Sequence, residues 1–175
     1  MKIIETNIKG VFEIENSIFK DQRGLLVKTF HKDKFKQKGL VSNFEESFYS
    51  VSKKNVIRGM HYQKPPHDHA KLVYVIDGEI IDVALDIRKF SPTKGKYYHT
   101  KLSSINNKSI YMGKGIAHGF MSISQSATVV YLTSTVHSKD FEDGYKWDSF
   151  GYDWNEIKDP ILSDRDKSFK SFTIS

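Results

Sequence analysis

The sequence predicts an all-β domain, a sandwich or closed barrel with short helices at its periphery. Short β-branched or alternating runs recur along the 175 residues, and turn-forming clusters separate them at regular intervals. Helical signals are confined to two brief stretches. In chain order, the strand candidates begin with Val11–Ile18, the turn Asp21-Gln22-Arg23-Gly24 and Leu25–Phe30. Asp33 is placed to cap a brief helix that ends before Gly39. Phe44–Ser52 follows. Lys71–Ile76 and Glu79–Ile87 then flank Asp77-Gly78, a hairpin signal because both central residues of a type I′ turn need φ > 0. Lys96–Leu102, Ser109–Met112, Gly119–Ile123 and Ala127–Val136 complete the set, separated by Asn106-Asn107 and Gly113-Lys114-Gly115. Ser163-Asp164-Arg165-Asp166 reads as a capping box that opens a C-terminal helix. Without repeat, linker or composition break, residues 1–175 are expected to form one domain.

Composition narrows the function. Aromatic residues make up 13% of the chain, too many for a disordered segment. The absence of cysteine excludes disulfide scaffolds, thiolate zinc sites and cysteine nucleophiles. Met1 to Gly10 lacks the apolar core of a signal peptide, and no run has membrane-spanning length, so a soluble, cytoplasmic protein without a membrane partner is expected. The net charge of +6 favours an acidic partner. Scattered lysines and the lack of nucleic-acid-binding motifs point to a phosphorylated small molecule, with no nucleic acid.

Two histidine segments stand out: Arg58-Gly59-Met60-His61-Tyr62-Gln63 and Gly115-Ile116-Ala117-His118-Gly119-Phe120. With Lys71 and Tyr131 they supply a base, a cation and a phenol, which strands of a closed β-structure can aim into one cavity. Each has a plainer reading. Lys71 suits a strand-end surface lysine, Tyr131 a barrel-wall aromatic, Asp166 a capping residue, and Asp86 and Arg88 ordinary strand-end charges. Arg58 lies three residues before His61, on the opposite strand face unless a bulge intervenes. His67, His69 and His118 invite a metal, but Val73 and Tyr74 stand where a carboxylate ligand would be needed, so no metal is expected.

At these segments the chain resembles the dTDP-4-dehydrorhamnose 3,5-epimerase family, the RmlC-like cupins. The resemblance rests on Asp21–Gly24, Val56–Gln63, Ala70–Val73, Asp82–Arg88, Ser91–Lys96, Gly115–Phe120 and Pro160–Asp166, in family order. It implies a cupin jelly roll, no cofactor, and a homodimer whose N-terminal strands contribute across the interface. It also implies an isomerase that inverts C3, C5 or both of a nucleoside-diphosphate 4-keto sugar for surface polysaccharide. His61 would be the general base, Asp166 its partner, Lys71 the enolate stabiliser and Tyr131 the acid on the opposite sugar face. Arg23, Lys28, Glu46, Phe48, Arg58, Gln63 and His118 would contact the nucleotide sugar.

The departures lie on the nucleotide side. Glu46 and Phe48 stand where the family usually carries Gln and Asn, Lys28 replaces a usual glutamate, and Thr135-Val136-His137 replaces a tyrosine-rich stretch. Retained proton-transfer residues beside altered nucleotide contacts fit a different sugar nucleotide, with a GDP-linked 4-keto-heptose of capsule biosynthesis or a CDP-linked sugar as candidates. Three other functions remain open at this point: a sugar-nucleotide ketoisomerase, a metal-binding cupin and a non-catalytic nucleotide-sugar-binding jelly roll.

Overall fold

A computed structural model of the chain describes residues 1–154, 157 and 159–174. Its strands are β1 (Lys2–Glu5), β2 (Val11–Glu15), β3 (Ser17–Asp21), β4 (Gly24–Lys28), β5 (Glu46–Lys53), β6 (Ile57–Gln63) and β7 (Lys71–Asp77). They continue with β8 (Glu79–Asp86), β9 (Tyr97–Ser103), β10 (Lys108–Met112), β11 (Ile116–Ser122), β12 (Ser126–Thr133) and β13 (Glu142–Gly144). Two short helices, α1 (Lys32–Gln37) and α2 (Asp164–Ser168), lie outside the strands. One antiparallel sheet has the order β1-β2-β10-β7-β12-β5 and packs on another of order β13-β6-β11-β8-β9, while β3 and β4 form a separate hairpin. The expected all-β jelly roll is the fold.

Alternation explains the wall strands. In β12, Ala127, Val129, Tyr131 and Thr133 face inward and are buried, with less buried residues between them. β8 and β11 are buried on both faces. Val73, Ile80, Ala84, Ile110, Phe120 and Val129 fill the space between the sheets. The outer face of β6, β8 and β11 is covered by Phe150, Trp154 and Phe172 from the C-terminal segment. Phe35 of α1 is buried beside Leu72 and Tyr111 on the outer face of the six-stranded sheet.

Several boundaries differ from expectation. Asp77-Gly78 is not a hairpin turn. β7 pairs with β10 and β12, whereas β8 pairs with β11 and β9, so this turn carries the chain from one sheet to the other. Only Gly78 of the pair has positive φ, at 76°, and a Cβ there would lie 2.0 Å from the Ser126 carbonyl oxygen. The Val11–Ile18 run divides at Asn16, whose amide turns away to the Asn107 carbonyl and Ser109 Oγ. Asp33 sits inside the first turn of α1, and His31 is the N-cap residue. Asp86 is fully buried rather than an ordinary surface charge. It binds Arg88, Ser91 and Thr93, which outweigh burial and lower its pKa to about 2.

The irregularity that matters for the site lies in β6. His118 pairs with His61 and Phe120 with Arg58, so β6 spends one more residue than β11 over the same span. This bulge turns Arg58 and His61 to the same side. Gly59 permits it, with φ of 135° and a virtual Cβ 2.4 Å from Gly119 Cα.

Candidate active site

The bulge opens onto a cavity of about 330 Å³ between the two sheets. Glu46, Phe48, Ser50, Lys71, Tyr131 and Thr133 line it from β5, β7 and β12. Arg58, His61, Gln63, His118, Phe120 and Glu142 line it from β6, β11 and β13, and His69 and His137 enter from loops.

His61 Nε2 lies 2.8 Å from Asp166 Oδ1. Asp166 is only 3% exposed and also accepts the Gly59 N–H at 3.2 Å. Burial pushes its pKa up, but the His61 contact, the Gly59 N–H and Ser163 outweigh burial and hold it below the usual range. An ionised carboxylate only accepts hydrogen bonds, so the neutral His61 ring carries its proton on Nε2 and leaves Nδ1 as the basic nitrogen. The capping box is therefore half formed. Ser163 Oγ accepts the Asp166 N–H at 3.1 Å, while the Asp166 carboxylate is engaged by β6.

Lys71 is not the surface lysine that its strand-end position suggests. Burial in the cavity lowers its pKa to about 8, opposed by the charges of Asp82 and Glu142. Tyr131 faces it from the adjacent strand β12. Its hydroxyl is 3.0 Å from Ser50 Oγ, and its ring is stacked on Phe48 with centroids 4.7 Å apart. Burial raises the Tyr131 pKa despite Ser50, so the phenol is protonated at neutral pH. His118 Nε2 meets Asp82 Oδ2 at 2.7 Å in the cavity wall, and burial lowers the imidazole pKa against the pull of Asp82.

The remaining candidates divide. Arg58 lines the cavity with Nε on Ser52 Oγ at 3.0 Å. Gln63 also lines it, but its side-chain amide is engaged by His67, His69 and Ser138. Arg23 and Lys28 lie on the β3–β4 hairpin, away from this cavity. Arg23 pairs with Asp21, and Lys28 sits 5.6 Å from the centre of the Phe19 ring. His67 packs on Phe141, so the His67–His69 pair does not present two imidazoles to the cavity.

Sequence reasoning gave no site role to Asp82, His137 or Glu142, and it weighed His69 only as a metal ligand. Asp82 had a legible signal, a carboxylate inside the apolar run Glu79–Ile87. Glu142 had none. It accepts both Arg165 Nη1 at 2.6 Å and His137 Nε2 at 3.0 Å, contacts that outweigh burial and lower its pKa to about 2.

The family model for dTDP-4-dehydrorhamnose 3,5-epimerase matches residues 5–173. The chain belongs to the dTDP-4-dehydrorhamnose 3,5-epimerase family. It is 38% identical to the enzyme of that name from Shigella flexneri, over 98% of this chain and 96% of the relative. The crystal structure of the Elizabethkingia anophelis dTDP-4-dehydrorhamnose 3,5-epimerase superposes with a TM-score of 0.94 at 35% identity, covering 98% of this chain and 96% of that one. A Legionella pneumophila epimerase, solved in complex with dTDP-4-keto-L-rhamnose, superposes with a TM-score of 0.93 at 33% identity, over 97% and 92% of the two chains. The protein is thus an epimerase, an isomerase of nucleotide sugars. Among its described residues no helix is long and apolar enough to cross a membrane.

The depressed Lys71 pKa makes a stability prediction. The folded chain releases this proton near pH 8, the unfolded chain only near the ordinary 10.5, so Lys71 opposes folding at pH 7 and stability rises between those values. Lys71→Met should melt above the wild type at pH 7, with the gap shrinking as pH rises from 8 towards 10.5. Thermal melts across that range provide the check; a variant that melts lower at pH 7 contradicts the buried charge.

Proposed function

We propose that this epimerase inverts C3 and C5 of a dTDP-linked 4-keto-6-deoxyhexose through proton transfers between side chains. One observation carries the reading: a paired histidine on one cavity wall faces a half-buried lysine and a protonated tyrosine on the other. A C4 ketone acidifies the hydrogens on C3 and C5. His61 Nδ1 removes one, and negative charge gathers on the ketone oxygen, where the Lys71 ammonium lowers the barrier. Tyr131 returns a proton from the opposite ring face, which completes inversion. A positioned base and acid each contribute on the order of 10²–10⁴ in rate. Arg58 and His118 hold sugar or phosphate oxygens.

A GDP-linked 4-keto-heptose is the second reading, and Glu46 favours it. A carboxylate on the cavity wall matches the two adjacent N–H donors on guanine's Watson–Crick edge. Either product would serve surface-polysaccharide assembly, in the capsule for the heptose.

In deuterated water, dTDP-4-keto-6-deoxyglucose should gain deuterium at C3 and C5 and yield the epimerised ketosugar, read by proton NMR. GDP- and CDP-linked ketosugars assayed in parallel decide the base. His61→Asn should lower exchange at least a hundredfold. Tyr131→Phe should keep exchange yet lose most of the inverted product, since the proton then returns from the face it left. A carbonyl that moves from C4 would reassign the protein as a ketoisomerase, and binding without exchange on all three nucleotides would make it a binding module.

The same proposal includes a homodimer. Ile18, Phe19, Leu25 and Leu26 expose apolar side chains on the β3–β4 hairpin, and Tyr49 and Val51 do so on edge strand β5. A partner chain would cover them and bring Arg23 and Lys28 to its own cavity. Sedimentation should give twice the chain mass, and Phe19→Asp with Leu26→Asp should shift it towards monomer. A wild-type monomer would rule the dimer out.

A further inference from the structure

His69 opens onto the cavity beside Lys71, two residues earlier in the chain, and the proposed proton transfers do not use it. Its protonation follows from its neighbours. The Ser138 backbone N–H donates to Gln63 Oε1 at 2.7 Å, and Gln63 Nε2 donates to the His67 carbonyl oxygen at 3.0 Å. A backbone N–H can only donate and a carbonyl can only accept, so these two bonds fix which end of the Gln63 amide carries its hydrogens. That nitrogen also lies 3.2 Å from His69 Nδ1, which must therefore accept. An imidazolium would set one N–H against another, so His69 is neutral with its proton on Nε2. Burial and the Lys71 charge act in the same direction and lower its pKa to about 3. Among the described residues no acceptor meets Nε2.

We infer that His69 is a second donor to the developing C4 oxyanion, its neutral Nε2–H acting beside the Lys71 ammonium. The inference rests on the epimerase reading and adds a residue to it. The physical case is preorganisation. A charged lysine alone is a mobile point charge, whereas an imidazole locked by Gln63 and Ser138 offers an N–H whose direction is set before substrate arrives. A neutral donor also adds no second cation next to Lys71, which already loses affinity for its proton by burial. No proton leaves His69 in the reaction: it donates a hydrogen bond that strengthens as charge moves onto the oxygen.

Three chains, the wild type, His69→Phe and His69→Gln, test this with the ketosugar that the wild type turns over. His69→Phe keeps the ring without the donor and should lower kcat for both exchange and epimerisation by on the order of a hundredfold. KM, and the affinity for the matching nucleotide sugar with a C4 hydroxyl, should stay within about threefold, because the donor acts on charge that only the enolate carries. His69→Gln restores an N–H and should recover at least tenfold of the loss. The acid limb of the pH–rate profile should not move in either variant, since His69 is neutral throughout. Wild-type kcat in His69→Phe, a loss confined to KM, failed recovery in His69→Gln, or a shifted acid limb would each overturn the inference while leaving the epimerase reading intact. Absence of exchange in the wild type itself is the separate result that defeats that reading, and this role with it.

Discussion

Between Arg58 and His61, β6 spends one residue more than β11 spends between Phe120 and His118, and the cavity is organised around that mismatch. A regular strand would send Arg58 and His61 to opposite faces. The extra residue turns both inward and frees the Gly59 N–H to bind the Asp166 carboxylate, which in turn holds His61. Gly59 and Gly119 make the crossing possible, since a side chain on either would strike the other strand. The placement of Arg58, the orientation of His61 and the docking of α2 thus share one local distortion.

Around that distortion the cavity concentrates charge that folding alone would disfavour. Lys71 loses affinity for its proton and Tyr131 holds its own more tightly, both chiefly through burial. Asp82 is fully buried with Oδ2 on His118 and Oδ1 without a partner among the described residues. A buried polar atom left unpaired costs about 1–3 kcal/mol, so the surrounding core must offset it. Two hydrophobic layers supply that support, a mainly aliphatic one between the sheets and an aromatic-rich one over the outer face of β6, β8 and β11. The loops are tied in as well. Glu142 links Arg165, next to the Asp166 that holds His61, to His137 at the cavity rim.

The wall strand β12, with its clean alternation, was legible from the residues, as were the all-β class and the helix at Ser163. Its period-two burial is a local property that the sequence carries directly. The Asp77-Gly78 corner was not, because the dipeptide reports a tight turn but not which sheet each flanking strand joins. β6 was absent from the strand candidates because a bulge erases the alternation that identifies a strand, and that bulge, left open by the spacing of Arg58 and His61, brings the two side by side. Asp166 carried two signals at one position, cap and carboxylate, and each proved half of its structural role. His69 was weighed only as a metal ligand. Its tautomer depends on Ser138, which lies 69 positions away and bonds it through Gln63, a chain of contacts that spacing does not encode.

The proposed proton transfer depends most on His61 presenting Nδ1 to the substrate because Asp166 holds its Nε2–H. Imidazole nitrogen-15 chemical shifts of selectively labelled His61, recorded where the ring is neutral, report the tautomer directly. A protonated Nε2 and a bare Nδ1 are expected in the wild type, with that preference weakened in Asp166→Ala. A wild-type ring with the proton on Nδ1 would contradict it, because the nitrogen assigned to the substrate would have no lone pair to accept a proton.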